Sequence, residues 1–194
     1  MLKVGLTGNI GSGKSVVASV FKALHIPVYN SDEKAGYFLN SPDVTEQIKN
    51  IFGLTVINNI GKIEKKKLAQ IVFSDNDKLL VLNNLIHPIV MADFNKWASI
   101  QHNTPYLIME SAILYKTGLF KNFDKIIFVS APENIRINRV INRDGTTKTD
   151  VLKRMSNQLK EENQINKADY IIINDDKTLV IPQVLNINNL LADK

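Results

Sequence analysis

The chain has 194 residues, a formal net charge of +5 and no cysteine. That length suits one domain with room for an inserted subdomain, able to bury roughly 70% of its unfolded surface without staples. The missing cysteines exclude disulfides and thiol chemistry, and no uninterrupted apolar run approaches the ~20 residues of a membrane helix.

The first element follows the amino terminus at once, with no signal-peptide pattern before it. "KVGLT" reads as a strand, and Val16, Val17, Val20, Phe21 and Leu24 form an apolar face at helical spacing. "IPVY" reads as a second strand. Residues 33–103 look mostly helical, with breaks at Ser41-Pro42, Gly53, Gly61 and His87-Pro88, and are too long for one crossover; an inserted helical subdomain is expected. Its one dense basic run, Lys65-Lys66-Lys67, is short and reads as a solvated helix face rather than a nucleic-acid site. "YLIME" (Tyr106–Glu110), "KIIFVSA" (Lys125–Ala131) and "YIIIN" (Tyr170–Asn174) are the third to fifth strands. Between the last two, Arg136, Arg139, Arg143 and Arg154 surround the polar turn "RDGTTKTD", read as two helices joined by a mobile basic segment. Strands alternating with helical patterns imply an α/β fold with a parallel sheet. The expected product is a soluble, cytoplasmic protein, monomeric or weakly self-associating, without nucleic-acid or membrane partners.

Gly8-Asn9-Ile10-Gly11-Ser12-Gly13-Lys14-Ser15 satisfies G-x-x-x-x-G-K-S/T between a strand and an amphipathic helix. In that setting glycines let backbone N–H groups converge on phosphate oxygens, and the helix amino end adds its positive pole. Lys14 would reach the β- and γ-phosphates of ATP, and the Ser15 hydroxyl would ligate Mg²⁺. Asn166-Lys167-Ala168-Asp169 matches the guanine-reading N-K-x-D of GTPases. It precedes a strand instead of ending one, however, and no D-x-x-G accompanies it, so the match is coincidental.

A small-molecule kinase needs a carboxylate for the acceptor hydroxyl and cations that follow the migrating charge. Asp32 follows the second strand, where ligands of parallel sheets collect; alternatively it merely favours the first turn of a helix capped by Asn30 or Ser31. Glu110 ends the third strand, either holding Mg²⁺ through water or sitting at the surface. Arg139 and Arg143 lie one helical turn apart and could face the same phosphates. His87 before Pro88 reads as a helix-end residue.

Taken together these segments resemble the dephospho-CoA kinase family over roughly residues 2–176. "VGLTGNIGSGKS" is similar to the family's opening, and "IPVYNSDEKA" to its D-A-D segment. "NNLIHPIV" resembles its His-Pro motif, "MESAILYKTGL" its third-strand segment, "RDG" with "RMSNQ" its lid, and "KADYIIIND" its last strand. The resemblance implies a three-layer P-loop kinase fold with a five-stranded parallel sheet. Its core would span about 1–32, 104–142 and 163–194, with a helical substrate-binding insertion at about 33–103 and a lid at about 143–162. It implies transfer of the γ-phosphoryl of ATP to the 3′-hydroxyl of dephospho-CoA, the last step of coenzyme A synthesis. Asp32 would then be the base and His87 part of acceptor binding. Arg139 and Arg143 would be lid cations, Val16 would adjoin the phosphate loop, and Asn174 would lie near the adenine. The sequence departs from the family at Asn30, which replaces the first Asp of D-A-D, at Glu110, which replaces an Asp, and at Ala112 and Lys116.

Overall fold

The computed structural model describes residues 1–192, which form two compact units: 1–30 with 101 onward, and 31–100. The first unit carries β1 (Leu2–Thr7), α1 (Lys14–Ala23), β2 (Val28–Asn30), β3 (Tyr106–Glu110) and β4 (Lys125–Ser130). It continues through α6 (Glu133–Asp144), α7 (Lys148–Ser156), α8 (Glu161–Ile165), β5 (Tyr170–Ile173) and α9 (Val180–Ala192). The second unit carries α2 (Ser31–Phe38), α3 (Pro42–Phe52), α4 (Lys65–Phe73) and α5 (Asn76–Ser99).

The five strands form one sheet in the order β2-β3-β1-β4-β5, with every pairing parallel. Alternate side chains enter different layers, as the pleat requires. Ile127 and Val129 join Val4, Leu6 and Ile108 under α1 and α9, where Phe21, Val184 and Leu191 close the core. Ile126 and Phe128 turn the other way, against Leu114, Tyr115 and the end of α8. Burial on both faces explains why the strands read as continuous apolar runs rather than alternating ones.

In the first unit, three details differ from the sequence reading. Val16 does not share the apolar face of α1: it is 57% exposed, and Val17, Ala18 and Phe21 carry the burial. The 131–169 region holds three helices instead of two, because α8 is too short for periodicity to reveal. Its polar turn is a capped corner: Gly145 ends α6 in the left-handed region, and the Thr147 hydroxyl accepts the Asp150 N–H at 3.2 Å to start α7.

In the helical unit, α5 runs unbroken through Pro88, where the sequence suggested a break. Proline forfeits one intrahelical hydrogen bond. Ile86, Val90, Phe94 and Ala98, spaced by four, are all buried and sustain the helix on both sides of it. Asp75 caps the helix by accepting the Asp77 and Lys78 N–H groups at 3.0 and 3.3 Å. Pro42 stands at the start of α3 and Gly53 at its end, as punctuation of those types requires.

Candidate active site

The carboxyl edge of the sheet gathers the chemistry. β1 ends at Thr7 and leads straight into the loop that α1 closes at Lys14. No side chain caps α1 and no acidic residue occupies its first turn, so its positive pole is left for an anion. Gly13 has φ +89°, and a Cβ there would stand 2.1 Å from Asn174 Nδ2. Gly11 has φ +78°, with Arg136 O at 2.5 Å from a Cβ. These positions need glycine both for backbone conformation and for room. Lys14 Nζ donates to Gly8 O at 2.8 Å, curling over the loop it belongs to. The Ser12 N–H donates to Asn9 O at 3.1 Å and tightens the first turn. Ser15 is exposed at the start of α1.

Beside the loop, Glu110 is only 6% exposed and stands in register with Leu6 on one side and Asn30 on the other. The hydroxyls of Thr7 and Ser12 are buried without a hydrogen-bond partner among the described residues. Buried polar groups are normally satisfied, so a site with two such hydroxyls fits a further polar occupant. A loop of amides, an ammonium, a helix-end hydroxyl and a buried carboxylate are the donor set of a magnesium nucleotide.

Arg139 belongs to this constellation. Its Nη1 lies 3.4 Å from Gly11 O and Ser12 O, and its Nη2 donates to Asn174 O and Oδ1 at 3.1 and 3.2 Å and pairs with Asp176. Asn174 Nδ2 donates to Ser12 O at 2.8 Å, so this side-chain amide braces the loop. Arg143 is not brought to the same place. It pairs with Asp144 at 2.7 Å, as does Arg154 at 2.7 Å, and together they hold that carboxyl well below the usual carboxylate range. The helical spacing of Arg139 and Arg143 was real, but the adjacent Asp144 captures the second.

Asp32 and His87 lie in the helical unit. Asp32 occupies the first turn of α2, two residues beyond the end of β2. His87 is half-buried on α5, and burial pushes its imidazole below the ordinary value, so it is neutral at pH 7. The N-K-x-D match is structural: Asp169 accepts from Lys125 Nζ at 2.6 Å and from the Ile126 N–H at 2.8 Å, at the amino end of β4.

Sequence reasoning missed Gln158, Glu161 and Gln164. Gln158 Oε1 accepts the Ile10 N–H at 3.0 Å, and Gln164 Nε2 donates to Asn9 Oδ1 at 2.9 Å. Buried Arg136 donates from Nε to Ala131 O at 2.9 Å and lies 3.5 Å from Glu161, which also accepts from the Ser130 hydroxyl. Only "RMSNQ" contained a trace of this collar. The others sit in a polar stretch whose pattern carries no signal.

A five-stranded parallel sheet with this loop and helix at its carboxyl edge defines a P-loop nucleotide-binding fold. The family model for dephospho-CoA kinase matches residues 2–179. The Porphyromonas gingivalis dephospho-CoA kinase is 38% identical over 196 aligned residues, covering 100% of this chain and 96% of the relative. That of Bacteroides fragilis is 34% identical over 194, covering 100% and 94%. A crystal structure from Thermus thermophilus superposes with a TM-score of 0.85 at 29% identity, covering 99% of this chain and 97% of that one. A Bacteroides thetaiotaomicron shikimate kinase shares the fold at a TM-score of 0.51, 15% identity and 98% coverage of each chain. The chain belongs to the dephospho-CoA kinase family, ATP-dependent enzymes of the last step of coenzyme A biosynthesis.

Proposed function

We propose that the chain catalyses in-line transfer of the γ-phosphoryl of MgATP to the ribose 3′-hydroxyl of dephospho-CoA, with the loop from Gly8 to Val16 holding the triphosphate and Asp32 the acceptor. The observation that carries the reading is the uncapped start of α1 behind a loop with no room for side chains at Gly11 and Gly13. The bond from the acceptor oxygen to phosphorus forms as the bond to the ADP oxygen breaks, and the hydroxyl proton passes late to Asp32. Such transition states are loose, so positioning and charge stabilisation carry most of the catalysis.

Lys14 stabilises the transferring group by exchanging its contact with Gly8 O for phosphate oxygens. Arg139 adds positive charge beside the loop, a role supported by its approach to the Gly11 and Ser12 carbonyls. Arg143 contributes only if it leaves Asp144, which makes it the weaker of the two cations. The Ser15 hydroxyl, and Glu110 through water, would hold Mg²⁺, which would supply charge neutralisation at the phosphates. Asn174, braced against Ser12, borders the nucleotide. The helical unit, with neutral His87, selects the acceptor. Residues about 143–162 act as the lid that excludes water. Cytoplasmic residence suits a cysteine-free enzyme with these substrates, and among the described residues no helix is long and apolar enough to cross a membrane.

The test is ADP release by the purified protein with MgATP and dephospho-CoA, beside AMP, shikimate, gluconate and no acceptor. Release with dephospho-CoA alone is expected. Release with another acceptor, or with none, would overturn the reading.

A further inference from the structure

The phosphate loop is gripped from its outer side by two glutamines, one within the lid segment and one just past it. The Ile10 side chain packs beside Ile137, Val140 and Val151, in the small core between α6 and α7. Its N–H is turned to Gln158 Oε1 at 3.0 Å, just beyond the end of α7. The preceding residue, Asn9, is 5% exposed and takes the Gln164 amide at 2.9 Å; Gln164 is 4% exposed and also donates to Leu159 O at 2.9 Å. The chain around these two glutamines is itself tied down. Lys116 Nζ donates to Asn157 O at 3.0 Å, and Glu161 is held by Arg136 and Ser130.

Gln158 therefore holds the Asn9–Ile10 peptide plane through the Ile10 N–H, and Gln164 anchors the Asn9 side chain beside it, at the entry to the loop. Because the Ser12 N–H closes on Asn9 O, the direction of that plane propagates to the amides of Gly11, Ser12 and Gly13. A buried side-chain amide that holds one peptide plane contributes order where the loop would otherwise have several orientations.

We infer that Gln158 and Gln164 are positioning residues for the nucleotide: a clip that sets the shape of the phosphate loop and makes triphosphate affinity depend on the connection between α7 and α8. The clip rests on the reading that the triphosphate lies in this loop. It concerns ATP alone, so it separates the two substrates kinetically.

The test is Gln158→Met, which keeps the length and loses the acceptor, with Gln164→Met as a second variant acting through the other bond. MgADP affinity is measured by calorimetry, with KM for ATP and for dephospho-CoA and the thermal midpoint alongside. In Gln158→Met, MgADP binding should weaken about fivefold to tenfold, the scale of one lost hydrogen bond to the backbone. KM for ATP should rise in parallel, while KM for dephospho-CoA stays within about twofold, as expected for a site untouched by the change. A lowered midpoint with unchanged MgADP affinity and KM for ATP would overturn the inference, since the glutamines would then be structural only. Loss of folding in both variants would overturn it too. Wild-type protein that fails to bind MgADP would instead refute the placement of the triphosphate, and the clip with it.

Discussion

Replacing Gly13 by alanine tests the geometry of the phosphate loop with a calculable cost. The residue has φ +89°, where an L side chain costs about 1 kcal/mol. The new Cβ would lie 2.1 Å from Asn174 Nδ2, so the asparagine must swing away. It then loses its 2.8 Å bond to Ser12 O and the 3.2 Å bond from Arg139 to Oδ1. At about 1 kcal/mol for each hydrogen bond, the whole change costs about 3 kcal/mol. Gly145→Ala is the matched control: its φ is +61°, no atom lies within 4 Å of the added Cβ, and the conformational term of about 1 kcal/mol stands alone. Urea denaturation of both variants should therefore show a difference of about 2 kcal/mol. Asn174→Ala should reduce the cost of Gly13→Ala, because the clashing amide is gone. Equal destabilisation at Gly13 and Gly145, or additive effects with Asn174→Ala, would refute the packing on which the loop's assigned shape depends.

Asp32→Asn should lower turnover ~10²-fold or more while MgADP binding stays near normal; wild-type turnover would remove Asp32 from its role. Lys14→Ala should cost several kcal/mol of transition-state stabilisation, read as a fall in kcat/KM of about 10²-fold or more. Asp144 is ionised far below its unfolded pKa of ~4, so its pairs with Arg143 and Arg154 stabilise the fold above that pH and fade as acidification protonates the folded carboxyl. Asp144→Asn should thus cost about 1 kcal/mol at pH 7, a partly exposed pair being worth little more, and progressively less in strong acid; a cost that does not depend on pH would contradict the pairing. The Tyr115 hydroxyl is buried without a partner among the described residues, and burial, with Asp169 adding to it, pushes its pKa up to about 12. Tyr115→Phe should leave chemical stability unchanged or raise it by up to about 1 kcal/mol, and a clear loss would reveal a hidden hydrogen-bond partner.

The parallel sheet was legible because burial on both faces writes strands as short apolar runs. β3 begins and ends where the pattern placed it, at Tyr106 and Glu110. The loop was legible because its glycines, lysine and serine have fixed spacing. The pairing of Arg143 with Asp144 was not legible, since helical spacing predicts shared direction and takes no account of a neighbouring carboxylate. His87-Pro88 was misjudged because a proline signal is local, whereas four buried side chains along α5 outweigh the lost hydrogen bond. Gln158, Glu161 and Gln164 were invisible because their partners, at Ile10, Arg136 and Asn9, are up to 155 positions away and polar residues have no periodicity.

The most direct test follows the phosphorus. Protein, MgATP and dephospho-CoA are incubated together, and the products are read by phosphorus NMR and mass spectrometry. One phosphomonoester on the ribose 3′-oxygen is expected for each ADP formed, and with Asp32→Asn the same product at a rate lower by ~10²-fold or more. ADP accompanied by free phosphate, or a phosphoryl group on any other oxygen, would contradict it.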